Sequence, residues 1–455
     1  MFDEKHGRAP FASSLDPYVD GLTGRRCSAQ DQKSRVDYLA RALAKEFGWK
    51  VNHGSEFDKV AGVFAFNTID IPTVNWAIQR LNGISSPANA VYSADELSYQ
   101  LKSSGSQALF TVLPLLDVAL RAAKLAGIPT TKIFICEMPG DDPSAYPPAF
   151  TRLSQLIEIG RSLPDLEPIK WSKGQGARQT AFLCYSSGTS GLPKGVMISH
   201  RNVIANTVQI SMYESKMRHA LGGPDYRDVA LGLLPQSHIY GLVLICHVAT
   251  YRGDSVIVLP KFDLHHFLSS IQTHKITSLF LVPPLIITMI KNQDLCSKYD
   301  LSSVKLVFTG AAPLGKETAD AMSKLYPNWA IRQGYGMTET CTVVSSSSPD
   351  DLWFGSSGSL LPGFTCRVMD PGSGEEITEY NKPGELLVKS PSITLGYLNN
   401  PKATEETYVQ LEDGLYLRTG DEVVFGKAPS GNEHVWIVDR IKELIKVKVW
   451  TARRE

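Results

Sequence analysis

The chain has 455 residues, 46 basic and 46 acidic side chains, 43% hydrophobic and 20% charged residues, which is the balance of a globular protein with a full core. At about 150 residues per domain, its length suits about three compact units or one large multi-lobed unit. Zero net charge gives no support to a nucleic-acid binder, and 36 glycines and 27 prolines spread without a period exclude a collagen-like or low-complexity chain. The first stretch of the chain is weakly patterned. A helix is expected over 32–47, where Val36, Leu39, Leu43 and Phe47 form one apolar stripe. Residues 60–66 read as a buried strand, 71–81 as a helix, 88–92 as a strand and 94–103 as a helix opened by Ser93. A strand over 108–112, a helix over 115–126 and a strand over 132–135 continue the alternation expected of parallel sheets covered by helices. After a loop-rich stretch over 139–148 it resumes, with strands over 181–185, 229–234, 255–259, 278–282 and 304–309 and helices over 201–211 and 241–249. Beyond about 345 the strands shorten, Gly/Pro turns multiply and helical patterns vanish, which reads as a small antiparallel β unit. The expected fold class is α/β, with two doubly wound subdomains plus a small antiparallel barrel-like lobe and no internal repeat.

The seven cysteines are odd in number and lack CxxC spacing, so buried reduced thiols of an intracellular protein are expected. The ten histidines show no metal-ligand spacing, and the adjacent pair His265 and His266 suits a surface turn. No membrane span is expected. The most apolar long stretch, 276–290, is shorter than the roughly 18 residues a span needs and is broken by Pro283–Pro284. No signal-peptide core opens the chain, and Arg453-Arg454-Glu455 is not a peroxisomal address of the Ser-Lys-Leu type. The cytoplasm is the default expectation, with a peroxisome open if an address follows residue 455.

The most informative segment is Tyr185-Ser186-Ser187-Gly188-Thr189-Ser190-Gly191-Leu192-Pro193-Lys194-Gly195. Glycines let the backbone approach an oxyanion, successive N–H groups and hydroxyls donate to phosphate oxygens, and Lys194 adds a mobile charge. It is not a Walker A loop, because Pro193 stands where that motif needs glycine.

This segment resembles the phosphate-binding signature of adenylate-forming enzymes, the superfamily of acyl-CoA synthetases, firefly luciferase and peptide-synthetase adenylation domains. Further motifs agree in order. Gly310-Ala311-Ala312-Pro313 is similar to the family's adenine-binding turn, and Gln333-Gly334-Tyr335-Gly336-Met337-Thr338-Glu339-Thr340 to its second nucleotide motif. Tyr416-Leu417-Arg418-Thr419-Gly420-Asp421 resembles the ribose motif, and Asp439-Arg440-Ile441-Lys442-Glu443-Leu444-Ile445-Lys446 the hinge. The likeness reaches back to about Leu15, and among relatives it is similar to the 4-coumarate–CoA ligase-like group.

The resemblance implies two steps. A carboxylate attacks the α-phosphate of ATP to give an acyl-adenylate and pyrophosphate; a thiol, usually coenzyme A, then displaces AMP. It implies ATP/AMP, Mg²⁺ and coenzyme A as cofactors and a small-molecule carboxylic acid as partner. Ser186, Ser187, Gly188, Thr189, Ser190, Gly191 and Lys194 would hold the β- and γ-phosphates, Thr338 the α-phosphate, and Glu339 the Mg²⁺. Asp421 would accept from both ribose hydroxyls, supported by Arg440. Lys194, His238, Thr338 and Glu339 are the catalytic candidates.

The segment Leu233-Leu234-Pro235-Gln236-Ser237-His238-Ile239-Tyr240-Gly241 resembles the border of the family's acyl site, with His238 as a gate. Tyr240, Gly310 and the turn Gly334–Gly336 would line the same pocket, with the small residues Gly310 and Gly334 leaving room for a flat ring. An aryl or cinnamic-type acid and a medium-chain fatty acid both fit such a slot. An amino acid fits less well, since 235–241 contains no acid to pair with an ammonium group.

The domain expectation is a large AMP-binding unit over 1–439, with the β lobe at about 345–439, and a hinge stub over 440–455. The family's mobile C-terminal domain is then largely absent, along with the lysine it supplies. Impaired adenylation and a frayed stub are expected, and a non-catalytic nucleotide- or acyl-binding remnant is the alternative. The sequence leaves the acid, the acceptor thiol and the oligomeric state open.

Overall fold

Apolar strands buried on both faces set up two sheets, as the alternating pattern requires. The computed structural model describes residues 3–186, 192–441, 445–447 and 450–452. Among these, one sheet has seven strands in the order Thr151–Arg152, Ile133–Cys136, Ala108–Val112, Val60–Phe64, Ile84–Ala88, Thr180–Ser186 and Lys194–Ser199. Neighbours are parallel except the last pair, an antiparallel hairpin. The other has nine, in the order Ser359–Leu360, Thr342–Ser346, Ala330–Met337, Leu306–Thr309, Ser278–Leu281, Val229–Gly232, Ser255–Val258, Tyr18–Asp20 and Arg26–Cys27. Its centre is parallel and both edges are antiparallel. A smaller, wholly antiparallel sheet joins Thr365–Met369, Gly384–Lys389, Gly414–Lys427, Tyr408–Leu411 and Glu433–Arg440. The α/β class with a small antiparallel lobe is thus the observed one. Residues 342–346 and 359–360 still belong to the nine-stranded sheet, so the antiparallel lobe begins at Thr365.

Local chemistry explains most element ends. Helix Ala29–Phe47 begins three residues before the expected start at 32 because the Ser28 side chain accepts from Asp31 N–H. Helix Ala94–Ser104 opens on a reciprocal cap between Ser93 and Glu96. Four expectations need correction. The strand expected over 88–92 is Ile84–Ala88, followed by a turn in which Tyr92 N–H donates to Asn89 O at 3.0 Å. Serines in the run ISSPA masked it, yet they are buried with acceptors: Ser85 Oγ donates to Asn75 Oδ1 at 2.7 Å and Ser86 Oγ to Leu183 O at 3.3 Å. His265 and His266 lie in the first turn of helix Leu264–His274, capped by Asp263, rather than in a surface turn. A helix does follow residue 345: Pro401–Thr407, capped by Asn400. The helix expected over 241–249 is a π-helix, Tyr240–His247, continued by an α-helix, Val248–Arg252. Its wide turn lets His247 Nδ1 bond Leu242 O at 2.7 Å while Nε2 accepts from Trp76 Nε1 at 3.1 Å.

The cysteines are free, with Cys366 half-buried and the other six buried. Of the stub expected to fray, Arg440 ends strand Glu433–Arg440, and Ile445–Val447 and Trp450–Ala452 pair with each other; residues 442–444, 448–449 and 453–455 lie outside the described residues. No helix among the described residues is long and apolar enough to cross a membrane.

One buried ion-pair network ties the nine-stranded sheet to the helices. Glu214 lies between Arg332 and Arg252, at 2.6 and 2.7 Å. Arg332 also donates to Ser347 O at 2.8 Å and Ser346 Oγ at 2.9 Å, pinning the start of strand Ala330–Met337 to the end of Thr342–Ser346. Burial would raise the Glu214 pKa, but the two guanidinium groups override it and hold it down at about 2. Because the folded-state value lies below the ordinary 4.5, this stabilisation is complete above about pH 4.5 and lost as the pH falls toward 2. Glu214→Ala leaves two buried guanidinium groups uncompensated, and we expect it to cost about 3–5 kcal/mol in urea denaturation at pH 7. The difference from the parent protein should shrink as the pH is lowered below 4.5.

Candidate active site

Strand Thr180–Ser186 does lead straight into the hydroxyl- and glycine-rich loop. What the sequence reading missed is that the chain returns at once as strand Lys194–Ser199. Ser186 and Lys194 face each other across the base of that hairpin. Ser187, Gly188, Thr189, Ser190 and Gly191 lie outside the described residues. The far side of the loop is tied down by Tyr99, whose hydroxyl donates to Pro193 O at 3.2 Å. Lys194 Nζ sits 4.2 Å from the centre of the Tyr397 ring, a cation–π contact, with no carboxylate in ion-pair reach among the described residues.

Thr338 and Glu339 occupy a 3₁₀ turn, Thr338–Thr340, between the antiparallel strands Ala330–Met337 and Thr342–Ser346. The reversal is tight enough to push Cys341 to φ +58° and Thr342 to φ +121°, the latter a costly conformation for a β-branched residue. Glu339 is buried. Its Oε1 accepts from the Tyr397 hydroxyl at 2.9 Å, and its backbone carbonyl accepts from Thr394 N–H and Oγ1 at 3.0 and 3.1 Å. Ala311, at φ +68°, holds the turn after strand Leu306–Thr309.

Asp421 and Arg440 are register partners on adjacent strands, so the sheet itself sets Arg440 Nε 3.3 Å from Asp421 Oδ1. The Tyr335 hydroxyl donates to Asp421 Oδ2 at 2.6 Å. Burial, then the Asp421 charge, pushes the Tyr335 phenol far above its usual range, so it remains a donor at all ordinary pH values. His238 opens onto the cleft from the loop before the π-helix, and its Nδ1 accepts from Tyr240 N–H at 3.3 Å. Surrounding protein lowers its pKa below 6.5, leaving the ring neutral at pH 7. Tyr240 is buried, donating to Phe308 O at 3.1 Å.

These residues share one cleft of about 1100 Å³. Ser186, Lys194, His238, Tyr240, Gly310, Ala311, Gly334, Tyr335, Gly336, Thr338, Glu339, Asp421 and Arg440 all line it. Two sequence candidates do not. Ala312 is exposed outside the wall, and Gln333 is buried behind it, where its Oε1 accepts from Leu314 N–H at 3.2 Å and braces the turn 310–314. Gly334 does not leave the expected room for a flat ring, and the place beside Gly336 is filled as well. A Cβ on Gly334 would lie 2.2 Å from Phe308 Cζ, and one on Gly336 1.5 Å from Thr342 O. That space is already filled by protein, and both glycines meet the cleft only through their backbone. Gly310 is less crowded, its nearest neighbour being Gly334 O at 3.3 Å.

Three features were not read from sequence: Tyr397, the ion pair Arg418–Glu385, and a polar arm at Pro87, Asn89, Tyr92 and Gln100. Only the dipeptide Gly396-Tyr397 in a turn-rich segment hinted at the first. The arm was hidden because the strand before it was read in the wrong register. Among the described residues no group of three metal-binding side chains forms a cage. Glu339 offers the cleft one carboxylate, which suits a Mg²⁺ ion that takes its other ligands from phosphate and water.

A family model described as "AMP-binding enzyme" matches residues 6–398. The chain is 38% identical over 441 residues to the acyl-CoA ligase easD of Emericella nidulans, covering 96% of this chain and 76% of that protein. It is 38% identical over 443 residues to the acyl-CoA ligase gloD of Glarea lozoyensis, covering 97% and 76%. A solved long-chain-fatty-acid-CoA ligase from Archaeoglobus fulgidus shares the fold at TM-score 0.79 and 22% identity, covering 94% of this chain and 82% of that one. With the cleft and its motif residues in place, the chain belongs to the AMP-binding enzyme family, in its branch of AMP-forming acyl-CoA ligases.

Proposed function

We propose that this cleft activates a carboxylic acid with a neutral tail, of cinnamic-type or medium-chain length, and passes the acyl group to coenzyme A. One observation carries the reading: a cation, a carboxylate, a diol acceptor and an apolar arm meet in a single cleft. A carboxylate oxygen of the acid attacks the α-phosphorus of ATP, the bond to the bridging oxygen breaks, and pyrophosphate leaves with the electron pair. The thiolate then attacks the acyl carbon, and AMP departs as the leaving anion. Lys194, with Ser186 and the loop 187–191, holds the β- and γ-phosphates, and Thr338 meets the α-phosphate. Asp421 accepts from the ribose hydroxyls, with Arg440 beside it, and Ala311 and the backbone of Gly334–Gly336 bound the adenine. Glu339 holds Mg²⁺, which supplies neutralisation of the phosphate charge.

The apolar lining of the cleft includes Leu234, Tyr240, Leu244, Val282, Phe308 and Val343. It offers no partner for a charged tail, which would be costly to bury there. His238, neutral at pH 7, borders the reacting carboxylate without pairing with it. The polar arm suits the amide-bearing chain of coenzyme A, because Gln100 Oε1 is buried there without a partner.

ATP–pyrophosphate exchange over a panel of aryl, cinnamic-type and medium-chain acids tests this directly. We expect acid-dependent exchange, reduced about a hundredfold or more by Lys194→Ala, the usual cost of removing one preorganised contact to developing charge. Exchange that ignores the acid, or survives Lys194→Ala intact, would sink the assignment. Leu244→Trp adds bulk to this apolar lining, and we expect it to reduce exchange with medium-chain acids more than with single-ring acids.

A further inference from the structure

We propose that Tyr397 is a positioning residue for the phosphate end of the cleft, acting through Glu339 and Lys194 at once. The inference rests on the nucleotide reading given above and names a residue that neither the loop motif nor the second nucleotide motif contains.

Tyr397 is 5% exposed, and its two ends do different work. The hydroxyl donates to Glu339 Oε1 at 2.9 Å, and the ring face carries Lys194 Nζ at 4.2 Å. The side chain therefore stands between an anion and a cation. A direct pair between Glu339 and Lys194 would neutralise both, and neither would be free for a ligand. An aromatic face holds an ammonium group more weakly than a carboxylate does, so Lys194 can transfer to a phosphate oxygen without breaking an ion pair. A hydrogen bond to Oε1 fixes the Glu339 carboxylate plane and leaves Oε2 for the cleft.

The backbone around Tyr397 gives this role a rigid base. Leu395 N–H donates to Met197 O at 2.9 Å, Met197 N–H to Gly396 O at 2.9 Å, and Leu398 N–H to Gly195 O at 2.8 Å. Val196 and Tyr397 form an antiparallel bridge. Segment 395–398 is thus zipped onto the strand that begins at Lys194. One residue earlier, Thr394 bonds the Glu339 carbonyl through both N–H and Oγ1, and its hydroxyl also meets the Tyr408 hydroxyl at 2.7 Å. A single short segment therefore holds the strand carrying the cation and the turn carrying the acid, and Tyr397 projects from its middle.

The test is calorimetric titration of the whole chain with AMP, with ATP plus EDTA, and with ATP plus Mg²⁺. Tyr397→Phe keeps the ring and removes the hydroxyl. We expect it to weaken ATP binding about tenfold in Mg²⁺, the scale of a lost hydrogen bond to a charged group, and to leave AMP and Mg²⁺-free ATP unchanged. Tyr397→Leu removes the ring as well and should weaken ATP binding even in EDTA, with AMP still unchanged. In a Glu339→Gln background, Tyr397→Phe should have no further effect. Equal binding of ATP plus Mg²⁺ by the parent protein and Tyr397→Phe overturns the proposal while the nucleotide site stands. An equal loss of AMP binding overturns it in favour of general structural damage. Failure of the parent protein to bind either nucleotide overturns the site and this inference together.

Discussion

The geometry of the cleft hangs on a carboxylate that never reaches it. Glu214 joins Arg332 and Arg252 inside the protein, and Arg332 in turn bonds the end of the returning strand. Arg332 immediately precedes the run from Gln333 to Glu339. Two strands that must reverse within a few residues are thereby locked together at their far end. Removing either partner of such a network leaves a charge in low dielectric, so it tolerates little drift. The positive backbone angles at Cys341 and Thr342 are conformations that persist only where the surroundings over-determine them.

Close backbone approach does the rest at that reversal. The Phe308 ring occupies the place where Gly334 lacks a side chain, and the Thr342 carbonyl occupies the place left by Gly336. Phe308 also accepts, at its carbonyl, the hydroxyl of Tyr240, and the two rings meet edge to face with centroids 6.0 Å apart. The turn at Gly334–Gly336 and the apolar lining at Tyr240 thus share a wall of the cleft. A change in either glycine would be felt at Tyr240, because packed interiors transmit displacement rather than absorb it.

The charges that line the cleft are of two kinds: Asp421–Arg440 and Glu385–Arg418 are ion pairs, whereas Glu339 and Lys194 have no ion-pair partner among the described residues. Asp421 is tied to Tyr335 and Arg440 by strand register, Glu339 is held by a phenol, and Lys194 rests on a ring. His238 is kept neutral at pH 7 by the protein around it. The arrangement suits a site whose ligand brings the phosphate charge. The exchange of one weak contact for a strong one costs less than the rupture of a buried ion pair.

The sequence by itself determined the α/β class and most of the strands, and it singled out thirteen of the residues that line the cleft. Apolar strand periodicity and short loops of glycine and hydroxyl residues are local properties, and local properties survive in a linear string. It also misread three local features for local reasons: buried serines disguised strand Ile84–Ala88, a capped helix was hidden among turns at 401–407, and Gly334 looked like open space. Tertiary structure alone decided what stands opposite what. Tyr397 is 58 residues from Glu339 along the chain, and Asp421 is 86 from Tyr335. Neither pairing carries a spacing that a motif could encode, because each arises where two segments distant in sequence are brought together by strand register and burial. The same holds for Gln333, whose motif position suggested the cleft and whose packing put it behind the wall.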